Sequence, residues 1–422
     1  MKTKFFVVTL HFVFCCSEIL SQPVMETGGQ KMPDEWIDKS TGHKVIRLTR
    51  RNGNSMSFYF HNNAFAGNKS DGYRMIFYGT DFMTTANNDS VKQETGNITA
   101  GNKQLYSVDL STLKAEQLTF QSSPMNGEIV APESRLVYYQ VKDSVFSTHI
   151  DTKETKLVYV FPEDFKANIT TINSTENLLA GAKSSEKEKD ILKSNPNKSS
   201  YFNLIYKAKL PRTLFTINIA TGELRKIFTD SAWLNHVQFA SGNPNLLMFC
   251  HEGPWHKVDR IWTIDVTTGK TKMMHKRTMP MEIAGHEFSS VDGKKIWFDL
   301  QQPKGETFYL AAVDIKTGKE IKYPMKRDEW SIHFNISPDQ KLFAGDGGDP
   351  GQVAKAKDGQ WIYLFTPKGD SLQSKKLVNM KHHNYKLEPN VHFSPDGRWI
   401  IFRANFEGHT DVYAVEVKAS GK

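Results

Sequence analysis

Histidine recurs at one position of a repeated pattern in this 422-residue chain, and histidine can both bind metals and transfer protons. Three segments, IAGHEFSSVDG, SIHFNISPDQ and EPNVHFSPDG, align without gaps on their S-V-D or S-P-D turns. The alignment puts His286, His333 and Asn390 at one position, and the shape of WLNHVQF adds His236. If the fold gathers these side chains at one point, they form a metal or proton-transfer site. The alternative is that repeated histidines only hydrogen-bond neighbouring strands.

A second group of reactive residues lies in CHEGPWHKVDR, residues 250–260. Gly253 and Pro254 end a strand there and begin a loop, and loops commonly carry functional sites. His251 suits a general base because the ordinary pKa of histidine is about 6.5. The alternative is a turn with surface ion pairs, and Cys250 in LLMFC is typical of a buried, inert thiol.

Two further sequence segments could each form either a binding site or an ordinary turn. In FAGDGGDPGQ, Asp346 and Asp349 are possible cation ligands, but aspartate and glycine dominate turns for backbone reasons, and we favour the turn. In FYFHNNAF, His61, Asn62 and Asn63 would line a channel and hydrogen-bond a sugar, or form a turn.

The elements that must position these residues are short strands that end in turns. They recur from YSVDLST to YAVEV every ~40–50 residues, with one longer interval. Seven such units predict an all-β fold, a seven-bladed β-propeller. The last unit offers three strands, and TGHKVIRLT, residues 41–49, has the shape of its missing outer strand. We therefore expect the N-terminal strand to complete the last blade; an open pair of β-sandwiches is the alternative.

In a propeller the innermost strand of each blade runs along the central channel. The aligned histidine position lies on that strand, just before the turn, so these side chains should converge near the axis. We expect one domain over residues 22–422, with an insertion at about 184–211 that is rich in charge and whose composition favours helix.

The N-terminal sequence predicts where the protein is located, and the net charge limits the kinds of partner it can bind. Residues 1–21 combine two lysines, an apolar stretch and a small residue, which predicts a signal peptide and a periplasmic or secreted protein. No other segment is apolar enough to span a membrane. The net charge of +8 is too diffuse for a nucleic-acid arm and favours an acidic ligand. The oligomeric state is not indicated.

CHEGPWHKVDRIW, GHEFSSVDGKKIWFD, HFNISPDQKLFAGDGGD and EPNVHFSPDGRWIIFRANFEG together resemble the oligogalacturonate lyases, over nearly all of the chain after the signal peptide. The resemblance implies a seven-bladed propeller. It also implies β-elimination on short, demethylated galacturonate oligomers, an acidic oligosaccharide substrate, and a divalent metal that is often manganese.

The resemblance also implies roles for residues that match its motifs. The histidine of CHEGP, here His251, is the family's proposed base, and the histidine of HEF, here His286, is a metal ligand. Where characterised members have His-Pro-His in the last blade, this chain has Glu388, Pro389 and Asn390, with Tyr385 in place of a glutamine upstream. Such an oxygen-richer site suits manganese, magnesium or calcium rather than zinc.

The residues and the resemblance together give three sets of candidates. The candidates for metal binding are His286, His333, Glu388, Asn390 and His392. The family's catalytic arginine has no motif here, and its candidates are Arg260, Arg225 and Arg212. The candidates for substrate binding are His61, His236, Trp255 and Arg403.

Other functions remain open at this point. A lyase acting on another uronate glycan has the same chemical requirements. A non-catalytic binding propeller, as in TolB, would need neither the CHEGP loop nor converging histidines. A hydrolase would need two facing carboxylates, for which Glu388 is the best placed, with Asp346 and Glu252 weaker.

Overall fold

The structure is a computed structural model that describes residues 22–81, 103–351 and 355–419. The predicted signal peptide, residues 1–21, lies outside the described residues. The chain begins with strands β1 (Val24–Met25), β2 (Glu35–Asp38) and β3 (Lys44–Arg47). Blade one contains β4 (Asn54–Met56), β5 (Phe65–Asn68), β6 (Gly72–Thr80), β7 (Gln104–Asp109) and β8 (Ala115–Gln117).

Five blades of four antiparallel strands follow. Blade two contains β9 (Asn126–Ala131), β10 (Leu136–Val141), β11 (Ser144–His149) and β12 (Thr155–Val160). Blade three contains β13 (Asn168–Ile172), β14 (Leu178–Lys183), β15 (Arg212–Asn218) and β16 (Leu224–Asp230). Blade four contains β17 (Trp233–Phe239), β18 (Leu246–Glu252), β19 (Ile261–Asp265) and β20 (Thr271–Met273). Blade five contains β21 (Ile283–Ser289), β22 (Lys295–Gln301), β23 (Phe308–Asp314) and β24 (Glu320–Pro324). Blade six contains β25 (Phe334–Ile336), β26 (Phe343–Gly345), β27 (Trp361–Lys368) and β28 (Ser371–Asn379).

The seventh blade joins the two ends of the chain. Its C-terminal strands are β29 (His392–Phe393), β30 (Trp399–Ala404) and β31 (Asp411–Glu416). The N-terminal β3 pairs with β31, and β2 and β1 extend the sheet outward. The seven-bladed propeller and its closure by an N-terminal strand are therefore confirmed, and closure leaves no free sheet edge between the first and last blades.

Two helices interrupt blade three. α1 (Glu186–Ser194) and α2 (Lys198–Ala208) lie between β14 and β15, within the stretch that the sequence marks as an insertion. Single-turn 3-10 helices span Glu163–Phe165, Trp255–Lys257 and Arg327–Glu329. Neither α-helix of the described chain, nine and eleven residues long, has the length and apolar content of a membrane crossing.

Packing between neighbouring blades forms the core. Each sheet buries both faces, so inner strands such as β22 and β30 are nearly continuous apolar runs. Trp36 of β2 belongs to this core: it is fully buried, its ring lies edge-on to Tyr413, and its Nε1 donates to Thr27 Oγ1.

Loss of the Trp36 ring is expected to weaken the closing blade. Trp36→Ala removes a large buried side chain and should lower the free energy of unfolding by ~3–5 kcal/mol, measured by denaturant titration. Leu157→Ala is the matched control, because Leu157 is 59% exposed on an outer strand. Equal stability of the two variants would contradict a structural role for the N-terminal strands.

Candidate active site

Two histidines near the channel axis are each held by a buried aspartate. His286 Nδ1 lies 2.7 Å from Asp299 Oδ1, and His333 Nδ1 lies 2.7 Å from Asp346 Oδ2. The two imidazole rings are 5.0 Å apart between centroids. A carboxylate on Nδ1 fixes the proton there and leaves the Nε2 lone pair for another partner, as in many metal-bound histidines.

One of these histidines, His333, lies near a third possible ligand. His333 Nε2 is buried without a hydrogen-bond partner among the described residues, and Glu388 Oε2 lies 3.7 Å from it. Burial opposes protonation of His286, but Asp299 outweighs it and raises the pKa of that imidazole. Two imidazoles and one carboxylate form a donor set that a divalent cation accepts, so His286, His333 and Glu388 fit a metal.

The role of Asp346 corrects the sequence interpretation, which favoured a turn-capping aspartate. Asp346 is fully buried, and its second oxygen, Oδ1, accepts a hydrogen bond from the backbone N–H of His333. It therefore orients a histidine side chain and fixes the backbone that carries it.

A buried ion network forms the wall of the site in blade four. Arg260 is 1% exposed, and it donates to Glu252 Oε1 at 2.6 Å and to Glu287 Oε1 at 2.9 Å. Burial alone would raise the pKa of Glu252, but Arg260 outweighs it and the pKa is lowered. Glu252 is therefore ionised, and its Oε2 lies 3.6 Å from His236 Nε2.

Arg260 does not fit the catalytic role that the sequence assigned to it. The Trp255 ring covers its guanidinium at 4.5 Å, and two carboxylates already bind it. Arg260 therefore positions Glu252 and Glu287.

Replacement of Arg260 should therefore affect stability first. Arg260→Met leaves Glu252 and Glu287 as buried carboxylates without a cation, which should cost ~3–5 kcal/mol of unfolding free energy. Arg225→Met is the control and should stay within ~0.5 kcal/mol, since Arg225 is exposed. If Arg260→Met kept wild-type stability in denaturant titrations, Arg260 would not have this structural role.

Three of the aligned positions share an unusual backbone conformation. His236, His286 and Asn390 have φ of +48°, +50° and +51°. The strand register shifts at His236 and again at His286, as in a β-bulge, which redirects a side chain. Non-glycine residues adopt this conformation rarely, although histidine and asparagine do so more readily than most. His333 aligns with them but is not among the residues with positive φ.

The central loop, residues 57–64, leaves blade one between β4 and β5 and enters the channel. Its Tyr59 ring lies 5.2 Å from the His333 ring and 6.4 Å from the His236 ring. Its Phe60 ring lies 6.3 Å from the His286 ring. The loop therefore lies among the histidines of blades four, five and six.

Two predicted metal ligands hold this loop and do not join the metal group. Asn390 Oδ1 accepts a hydrogen bond from Phe60 N at 3.0 Å, and its Nδ2 donates to the Glu388 carbonyl. His392 is buried, and its Nε2 lies 3.3 Å from the Tyr59 carbonyl oxygen. Burial lowers the pKa of His392 to about 4, so its ring is neutral at pH 7.

The predicted base, His251, is also placed elsewhere. Alternation along β18 puts Glu252 towards the cluster and His251 on the opposite face, where it stacks on Trp262 with 4.5 Å between ring centroids. Burial lowers the pKa of His251, and the charges acting on it are Asp230, Lys209 and Asp259, none of them in the cluster. A match to a sequence motif does not show on which face of the strand the matching side chain lies.

The two other candidate arginines are bound outside the cluster. Arg225 is exposed on the outer strand β16 and donates to the carbonyl oxygen of Thr267. Arg212 pairs with Glu188 of α1 and donates to the Leu234 carbonyl at 2.7 Å. The hydrogen bonds of Arg212 and Arg225 therefore go to residues other than the histidines of the cluster.

Two of the predicted substrate-binding side chains border the cluster. Trp255 lies 5.2 Å from the His286 ring and donates through Nε1 to Glu252. A side chain at position 285 would collide with this ring, which explains Gly285. Arg403 donates to the Glu388 carbonyl through Nε and to the Ser57 carbonyl through Nη1.

His61 lies at the other side of the central loop. Its ring is 6.4 Å from the His236 ring, and burial, followed by neighbouring histidines, lowers its pKa to about 3. It lines a cavity of about 430 Å³ whose walls include Glu128, Gln238 and His392. This cavity reaches the end of the channel where the turns of the blades lie.

Sequence reasoning missed three residues of the site. Tyr59 stands in the string FYFHNNAF, where the polar residues His61, Asn62 and Asn63 after it are the more obvious candidates. Asp299 and Glu287 are carboxylates on strands that read as plain apolar segments. One signal was available: in both pairs the aspartate follows its histidine by 13 residues.

Comparison with known proteins gives consistent results. The family model for oligogalacturonate lyase matches residues 30–421. An oligogalacturonide lyase of Pectobacterium atrosepticum is 25% identical over 416 residues, 93% of this chain and 98% of that protein. An oligogalacturonate lyase of Dickeya dadantii is 26% identical over 405 residues, 91% of this chain and 95% of that protein.

A solved structure has the same fold. It is an oligogalacturonate lyase in complex with manganese, with a TM-score of 0.75 and 22% sequence identity over 93% of this chain and 99% of that one. The family match extends over nearly the whole chain, through both ends of the closing blade and every residue of the cluster. This chain belongs to the oligogalacturonate lyase family.

Proposed function

We propose that this protein cleaves short oligogalacturonates by β-elimination, and that His286, His333 and Glu388 hold a divalent metal. The observation that carries this proposal is the pair of adjacent histidines whose Nδ1 atoms are fixed by buried aspartates, with Glu388 3.7 Å from the Nε2 of His333. Family membership and the names of the two relatives support the substrate class.

The chemistry of a uronate explains why such a site is needed. The proton on C5 is acidic because it lies beside the carboxylate, and its removal builds negative charge on that group. A metal bound at the three ligands would stabilise this charge as it develops. The bond from C4 to the glycosidic oxygen then breaks and leaves a C4–C5 double bond.

His236 is the residue that we propose as the base. Its side chain is 27% exposed, so a substrate can reach it, and Glu252 stands beside its Nε2. The ionised Glu252 favours the proton on Nε2, which leaves the lone pair on Nδ1, and it stabilises the imidazolium that forms. Arg260 in turn keeps Glu252 ionised.

Two other side chains suit the binding of an acidic sugar. Trp255 offers an aromatic face beside His286, and aromatic rings pack well against the apolar face of a sugar. Arg403 donates through Nε to the Glu388 carbonyl and through Nη1 to the Ser57 carbonyl, so two of its three nitrogens are fixed. Its remaining nitrogen, Nη2, is the group that we propose for the substrate carboxylate.

Manganese is the ion that we propose, with magnesium and calcium as alternatives. The donor set mixes imidazole nitrogen with carboxylate oxygen, which manganese accepts readily, whereas magnesium and calcium prefer oxygen alone. The solved relative is described as a manganese complex. We also propose a periplasmic or secreted location, on the sequence of residues 1–21.

An ultraviolet assay on digalacturonate and trigalacturonate tests the proposed function. Elimination creates a conjugated, absorbing uronate end group, whereas hydrolysis and simple binding do not. We expect absorbance that grows with time, stops with a chelator and returns with added manganese. A folded protein that produced no absorbance on either oligomer would contradict the proposal and favour another uronate glycan or a binding protein.

A further inference from the structure

We propose that Tyr59 is the general acid that protonates the departing glycosidic oxygen. This inference rests on the proposed function. β-Elimination needs a proton at the leaving oxygen as well as a base at C5, because an alkoxide is a poor leaving group. None of the roles assigned above supplies that proton.

The other ionisable groups of the cluster are already engaged. Glu252 is ionised and bound to Arg260, so it carries no proton to give. The Nδ1 protons of His286 and His333 point to Asp299 and Asp346. A phenol remains, that of Tyr59; burial raises its pKa above the ordinary value of about 10, so it is protonated at neutral pH.

Tyr59 has the right position for this role. Its ring packs edge-on to His61 at 5.0 Å and to His333 at 5.2 Å, and tilted to His236 at 6.4 Å. It therefore stands between the proposed base and the proposed metal ligands. The side chain is half-buried, and its hydroxyl makes no hydrogen bond to any residue that the structure describes.

The backbone around Tyr59 is held more firmly than an ordinary loop. Glu128 Oε2 accepts a hydrogen bond from Tyr59 N at 3.1 Å, and His392 Nε2 donates to the Tyr59 carbonyl at 3.3 Å. Asn390 Oδ1 accepts from Phe60 N. These side chains come from blades two and seven, so the blades on either side of blade one hold Tyr59 and Phe60 by polar contacts. This gives Asn390 and His392 a function as positioning residues.

The proposed step balances without another reactant. His236 takes the C5 proton, and the electron pair of the C5–H bond forms the C4–C5 double bond. The C4–O bond breaks, its electron pair goes to oxygen, and the Tyr59 hydroxyl donates its proton there. The imidazolium and the phenolate then return to their starting forms by proton exchange through solvent.

Tyr59→Phe tests this role because it removes the hydroxyl and keeps the ring packed among the histidines. On trigalacturonate we expect kcat to fall ~100-fold or more, in the range of a lost general acid. On a galacturonate that carries a 2,4-dinitrophenyl ether at O4, we expect a change of less than ~3-fold, because dinitrophenolate leaves without a proton. Tyr106→Phe is the control, since the Tyr106 hydroxyl is bound to Gln117 in blade one.

Each outcome has a distinct meaning. A loss on trigalacturonate alone, with metal content and thermal midpoint unchanged, would support Tyr59 as the acid. An equal loss on both substrates, or no loss on either, would overturn it. Absence of unsaturated product with the wild-type protein would instead overturn the proposed function, and the role of Tyr59 with it.

Discussion

His236→Asn is expected to lower kcat on oligogalacturonates by ~10²- to 10⁴-fold, the usual effect of losing a general base. Asparagine is the appropriate replacement because residue 236 has a φ of +48°, which asparagine tolerates and which Asn390 already adopts at the equivalent position. The backbone should therefore keep its course, and metal content should not change. Steady-state kinetics with the ultraviolet assay measure the effect.

His251→Ala is the informative counterpart. His251 packs on Trp262 on the far face of β18, so its loss should leave kcat within ~3-fold of wild type and lower mainly stability. The motif-based assignment of His251 as base requires the reverse pattern. A large loss with His251→Ala and a small loss with His236→Asn would restore that assignment and refute ours.

His333→Ala is expected to abolish tight metal binding. The residue supplies a buried imidazole nitrogen without a hydrogen-bond partner among the described residues. Asp346→Asn keeps His333 but weakens the bond that fixes its tautomer, so we expect metal affinity to fall ~10–100-fold. Calorimetric titration of the metal-free protein with manganese measures both effects without any turnover.

Comparing the metal affinities of several variants distinguishes the loss of a metal ligand from a general loss of stability. His382→Ala is the control, since His382 is exposed near the closing blade. We expect wild-type affinity for it, a moderate loss for Asp346→Asn and the largest loss for His333→Ala. Equal affinity of all three variants would remove His333 from the metal site.

The parts that could be predicted from the sequence are those fixed by local spacing. The distance from His286 to its S-V-D turn equals the distance from Asn390 to its S-P-D turn. Equal spacing means an equivalent position on equivalent strands, which is why the alignment of His286, His333 and Asn390 was predictable. For the same reason the seven blades and the closing strand were predictable. The backbone conformation of the aligned position was not, because His286 and Asn390 have positive φ and His333 does not.

The parts that could not be predicted depend on contacts between distant segments. Asn390 looks like a ligand in sequence, but its amide oxygen binds the backbone of Phe60, 330 residues away. Asp346 looks like a turn residue, because its 13-residue spacing from His333 indicates a pair only once the two strands are known to be adjacent. In each case the role of the side chain depends on which hydrogen-bond partner lies within its reach. That partner is known only from the packing of the strands and blades against each other.

The position of the central loop affects how substrate can enter the enzyme and how product can leave it. Residues 57–64 cross the channel and are tied to blades two, six and seven by Glu128, Asn335 and Asn390. We therefore expect that a polymer does not thread along the axis, and that products leave by the opening through which the substrate enters. Because departing products and arriving oligomers would then share one opening, we expect product inhibition to be competitive and to grow with fragment length.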